Sequence, residues 1–205
     1  MLMLRVELPD RPGALGQVAS AIGAVGADIY TIEIVERGDG HAVDDFMVDL
    51  PRGSLPDTLV SACTEIEGTR VLWLSRHPDQ WAIESDLEIA QEMDLHRARA
   101  LELLVEHAPR LFHSRWALVV GLEERRVLAR TEDAPDLTEG QIAALAPLDE
   151  AHALDMPDWL QGWGDVSVAL APTGTGLIVL VGRQGGPQFL DSELHRLHRL
   201  VRLAH

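Results

Sequence analysis

The chain has 205 residues, 46% of them hydrophobic, and 17 basic against 33 acidic side chains give a formal charge of −16. That is enough apolar material for a packed core, whereas phosphate-backbone binding is disfavoured: every cation is Arg, no Lys or Asn occurs, and no long basic stripe forms. The absent Lys removes Schiff-base chemistry and a Walker-type phosphate lysine, and the single cysteine, Cys63, removes an internal disulfide and a Cys-based zinc site. No apolar run approaches the roughly 18 residues of a membrane span, and the start lacks the pattern of a secretory signal. A cytoplasmic protein with neither nucleic-acid nor membrane partners is expected.

In chain order, Leu4, Val6 and Leu8 alternate with Arg5 and Glu7 as in a half-buried strand. Pro9–Gly13 breaks it, and Leu15, Val18, Ile22 and Val25 recur at helical spacing, with Pro12 suited to a first helical position. Gly26 closes this helix. Strands follow at Tyr30–Ile34 and Phe46–Leu50, a second helix over 56–67, and a fourth strand at Val71–Leu74. The order βαββαβ predicts a ferredoxin-like unit, a four-stranded antiparallel sheet with both helices on one face. Its other face, with Thr31, Glu33, Val35, Met47 and Trp73, holds apolar members that call for a covering layer.

Residues 76–86 are polar and contain Pro78, which marks a linker between domains at 1–75 and 87–205. Beyond it, Leu87–Ala108 reads as one long helix, Trp116–Val120 and Arg126–Thr131 as strands, and Glu139–Ala146 as a short helix in an otherwise loose stretch from 132 to 164. Val166–Leu170 is a strand, Thr173–Gly176 a turn, and Leu177–Val181 is apolar throughout, as in a central strand covered on both faces. Leu190, Leu194, Leu197, Val201 and Ala204 mark an amphipathic final helix with acids in its first turn and arginines near its end. The fold class is therefore α+β.

The first domain resembles an ACT domain, a regulatory module found with enzymes of amino-acid metabolism. The likeness rests on Asp10-Arg11-Pro12-Gly13-Ala14-Leu15, closing strand one and opening helix one, and on Gly26-Ala27-Asp28-Ile29 at the next corner. The second domain is similar to a GAF domain through the long leading helix, the Trp116 strand, and Leu177–Arg183 running into Gly186-Pro187-Gln188-Phe189 and a final helix. The resemblance implies a homodimer paired through the ACT domain and a small-molecule ligand, an amino acid first of all, with a protein effector as a further partner. The ligand residues would be Asp10, Arg11, Pro12, Gly13, Ala14, Leu15, Asp28 and Ile29. Gly13 lets a ligand approach the backbone, and the N–H groups of Gly13, Ala14 and Leu15 at a helix start suit a carboxylate. Asp28, expected beside that loop, would hold the ammonium; where ACT domains often have Asn, it offers only acceptors. The alternative is a well-capped turn in a structural dimerisation module that docks an effector without binding a metabolite.

In the second domain Trp116, Met156, Trp159 and Trp163 are candidates for an apolar cavity, or for ordinary core under a long loop. His195 and His198 share a helical face with no close third ligand, so no metal is expected. Arg196, Arg199 and Arg202 read as a solvated face. Asp44, Asp45 and Asp49 read as solubilising charge on a strand edge in preference to a divalent-ion site. No nucleophile elbow, phosphate loop or His-Glu-x-x-His motif occurs, so neither catalysis nor a cofactor is expected.

Overall fold

Leu2, Leu4, Val6 and Leu8 are buried on one face of β1 (Leu2–Pro9), and the strand's partner β3 (His41–Asp49) brings Val48, Phe46 and Ala42 to the same face. Onto it pack Ala14, Val18 and Ile22 of α1 (Ala14–Ala24) and Leu59 and Cys63 of α2 (Pro56–Thr64). The strands β2 (Asp28–Gly38) and β4 (Arg70–Arg76) complete an antiparallel sheet in the order β2-β3-β1-β4. This is the expected βαββαβ arrangement.

The computed structural model describes residues 1–76, 86–145, 149–154 and 166–204. Most of the expected linker, with Trp81 and Ile83, lies outside them. The chain divides into two units, Met1–Trp81 and Ala82–His205.

Two features of the first unit depart from the sequence reading. The helix α1 begins at Ala14 with Gly13 at its cap, so Pro12 precedes the helix instead of opening it. The strand β2 is an edge with register breaks between Ile29 and Thr31 and between Ile34 and Glu36, and its Tyr30, Ile32 and Ile34 are exposed. The far face of the sheet is covered at its centre, in line with its apolar members: Met3, Met47 and the ion pair Arg5–Asp45 are all under 5% exposed, whereas Glu33 on the edge strand is exposed.

In the second unit the expected single helix is two, α3 (Asp86–Leu95) and α4 (Ala100–Leu111), joined by a 3-10 turn at Arg97–Arg99 where His96 leaves helical geometry (φ −125°, ψ 50°). A five-stranded antiparallel sheet follows: β5 (Trp116–Gly121), β6 (Arg126–Arg130), β7 (His152–Leu154), β8 (Val166–Pro172) and β9 (Leu177–Gln184), in the order β6-β5-β9-β8-β7. The apolar run in β9 is central, as its composition predicts. Val179 and Val181 face α3, α4 and the final helix α6 (Asp191–Leu203), while Ile178 and Leu180 face a second cluster with Trp116, Leu118 and Ile142. Ile142 comes from α5 (Glu139–Ala143), opened by a capping box between Thr138 and Gln141.

The segment after β9 has a structural cause. Arg183, fully buried, donates to the carbonyls of Phe112 (2.7 Å), Pro187 (3.3 Å) and His113 (3.4 Å) and to Glu193 Oε1 (2.7 Å). Its guanidinium lies 4.1 Å from the Phe189 ring centroid. Glu193 in turn accepts from the Leu190 N–H at 2.9 Å, satisfying a donor at the start of α6.

Candidate functional site

The β1–α1 loop forms where β1 runs out at Pro9. Asp10 N–H donates to Gly40 O, tying the loop to the β2–β3 hairpin, and Arg11 N–H donates to Pro9 O within the turn itself. Gly13 takes φ +89°, a region disfavoured for side-chain-bearing residues, and open space surrounds the position where a Cβ would sit. No side chain caps α1. Among the described residues the N–H groups of Gly13 and Leu15 have no acceptor, but that of Ala14 donates to Arg11 O at 3.2 Å and is not free as expected. Asp10, Arg11, Pro12 and Gly13 are exposed and Ala14 is buried against the sheet. The Arg11 guanidinium reaches Gln17 at 3.1 Å and so lies along the first turn. The result is an exposed helix start with unsatisfied donors, suited to an anion.

Asp28 and Ile29 are not beside this loop. Asp28 pairs with Asp49 and Ile29 with Val48, at the end of the sheet where β1 begins; the loop adjoins the other end, where Pro9 and Gly38 both face His41. The length of β3 separates them, about 25 Å at strand rise. The expected proximity within one chain is therefore corrected: β1 and β2 are parallel, and α1 carries the chain back to the starting end before Asp28.

The acidic pair on β3 is also corrected. β3 is an interior strand, and Asp44 (2% exposed) and Asp45 (3%) are buried on opposite faces, with Asp45 bound to Arg5 at 2.7 and 2.8 Å. Asp44 lies on the helix side between Val6 and Ile34; its Oδ1 is inaccessible and has no hydrogen-bond partner. Burial pushes its carboxyl above the ordinary range, Arg37 opposes this, and Asp45 and Asp10 add to it. Sequence reasoning missed this residue's setting, because two adjacent acids in a strand look like exposed charge until the strand is known to be interior.

In the second unit Trp116 is buried, its indole flat against Gly182, and its Nε1 has no acceptor among the described residues. Met156, Trp159 and Trp163 lie outside the described residues. A groove of about 700 Å³ runs between α3 and α6, lined by Leu87, Ala90, Leu200 and Leu203 with Arg196 and Arg199 at its rim. Arg196 is held by Asp86 at 2.7 Å, so the arginine stripe is only partly a solvated face. Among the described residues no three His, Cys, Asp or Glu side chains are grouped to hold a metal ion, and no helix is long and apolar enough to cross a membrane.

The βαββαβ sheet and its loop-to-helix motif define a small ferredoxin-like module. Residues 2–67 match the family model of the ACT domain, so an ACT domain occupies this part of the chain. No curated protein matches. Among solved structures, a formyltetrahydrofolate deformylase from Pseudomonas putida KT2440 is 14% identical over 48% of this chain and 37% of its own, with a TM-score of 0.31. GqqA, described as a novel type of quorum quenching acylase, is 16% identical over 38% and 43%, with a TM-score of 0.28. An unknown protein from Galdieria sulphuraria is 10% identical over 88% and 78%, with a TM-score of 0.32. The chain thus spans less than half the length of the first two.

Proposed function

We propose that this chain is a non-catalytic regulator whose ACT domain binds an amino acid at the β1–α1 loop. The observation that carries the reading is the exposed, uncapped start of α1, where Gly13 leaves room above unsatisfied N–H groups. A carboxylate placed there is stabilised by the helix dipole and by those donors together. A homodimer fits the same picture. The β2 edge leaves Tyr30, Ile32 and Ile34 exposed, and two copies pairing antiparallel along β2 would bring Asp28 of one to the loop end of the other. A ligand bound there would favour one subunit arrangement over another, the differential affinity that regulation requires.

For the second unit we retain the GAF-like reading, as a second sensor or an effector-docking surface. It is supported by the helices on one face of an antiparallel sheet and by Arg183 binding the turn into Phe189 and α6.

Thermal shift of the full chain against the twenty L-amino acids tests the proposal: one or a few should raise the midpoint, dose-dependently. A flat response across all twenty would overturn it. The exposed apolar row on β2 favours a second reading, pairing or effector docking without a ligand. A stable dimer in sedimentation equilibrium, insensitive to every amino acid, would establish that instead.

A further inference from the structure

We infer that Asp44 and Arg37 are the two charged poles of the amino-acid site within one chain, Asp44 accepting from the ligand's ammonium and Arg37 sharing its carboxylate with the start of α1. The inference rests on the proposed reading of the loop and gives the polar recognition to residues other than Asp28. The sheet register fixes the placement. Asp44 stands opposite Val6 and Ile34 on the helix-bearing face, and Arg37 stands opposite Ala42, the next position on that face toward the loop. The helix α1 connects β1 to β2, and β3 lies between these two strands, so the crossover carries α1 across β3. Asp44 therefore lies under the crossover, three positions in from His41 at the loop end of β3, and Asp10, in the loop itself, is among the three charges that act on it.

Two observations of different kinds meet here. One is the open helix start. The other is a carboxyl that is 98% buried, with an oxygen that has no partner. A buried acceptor without a donor is costly and uncommon in folded proteins; a ligand donor satisfies it. Arg37 supplies the opposite pole. Its side chain is 59% exposed and only loosely engaged, its Nε 3.9 Å from Asp10 Oδ1, so a ligand carboxylate can take the guanidinium and leave Asp10 free to swing from the site. A zwitterion complements this order of charges, anion outward at Arg37 and Leu15 N–H, cation inward at Asp44. An anion without an amine leaves Asp44 unsatisfied.

The test is calorimetry on the full chain with each protecting L-amino acid beside its counterpart lacking the α-amine, such as propanoate for L-alanine and 3-phenylpropanoate for L-phenylalanine. The wild type should bind the amino acid at least about tenfold more tightly than the counterpart. Asp44→Asn should weaken the amino acid by about 10- to 100-fold and leave the counterpart unchanged, while Arg37→Gln should weaken both. Far-UV circular dichroism establishes that each variant is folded, and the wild-type comparison needs no variant at all. If Asp44→Asn binds the amino acid as tightly as wild type, or weakens both ligands equally, the inference fails while the proposed function stands. If the wild type binds none of the twenty, both fail.

Discussion

The two sheets bury charge in different places. In the ACT sheet a guanidinium and a carboxylate, Arg5 and Asp45, pair directly across neighbouring interior strands, in the middle of a sheet face. The five-stranded sheet keeps apolar clusters against both faces and moves its buried Arg183 to the end of β9, where it binds backbone carbonyls of the segment after α4 and of the turn before α6. One arginine is matched to a strand neighbour; the other joins segments distant in sequence. Removing Arg183 therefore disrupts more than an ion pair. Arg183→Met should cost about 3–5 kcal/mol, since it leaves Glu193 buried without its guanidinium and three carbonyls short of a donor. Hydrogen exchange should report the loss at β9 and α6. The corresponding Arg5→Met should also cost about 3–5 kcal/mol, with faster exchange in β1 and β3. Exchange confined to the loops in either variant would break the comparison.

Glycine sharpens the same contrast. A methyl at Gly182 would overlap the Trp116 indole, whose ring is fixed in the cluster formed with Leu118 and Leu180. Gly182→Ala should cost about 1–3 kcal/mol or more, visible as a lower thermal midpoint and an altered near-ultraviolet spectrum from the displaced tryptophan.

Asp44 provides a third test, opposite in sign. Its carboxyl titrates above the ordinary 3.8 because burial penalises the charge. Below that ordinary value the group is protonated whether the chain is folded or not. As pH rises through the raised folded value, the folded chain must ionise a buried group and loses stability. Asp44→Asn should therefore stabilise the ligand-free protein at pH 7, by about 1–3 kcal/mol, and the advantage should vanish toward pH 3. Equal midpoints at both pH values would show the carboxyl to be solvated.

These tests turn on features of unequal legibility. The order of elements was readable throughout, because Leu4-Val6-Leu8 alternates and the final helix steps by three and four. The central position of β9 was readable too, since an unbroken apolar run has no solvent face. Edge and interior were not. Tyr30, Ile32 and Ile34 alternate as cleanly as Leu4, Val6 and Leu8, yet β2 is an edge and β1 is interior, because strand neighbours are set by the crossover and not by local pattern. The same ignorance placed Asp28 at the loop and exposed Asp44. The single helix expected over Leu87–Ala108 failed for a local reason: both halves face one core, and nothing in their periodicity marks the break at His96.

The smallest expected effect lies at Gly13, and it separates the two units most finely. There a Cβ meets no atom within 4 Å, so the cost of Gly13→Ala comes from the backbone alone, about 1–2 kcal/mol for holding an L-residue at φ +89°. In the Gly182 variant the side chain collides and the backbone conformation is not at issue. If the loop is the site, Gly13→Ala should also reduce the thermal shift given by the protecting amino acid by more than its own stability cost explains, because the methyl takes part of the open space in front of the loop that the ligand would fill. The decisive measurement is the ligand's Kd by calorimetry, which does not depend on the global midpoint. An unchanged Kd together with a lowered midpoint would leave Gly13 a turn residue and move recognition away from the start of α1.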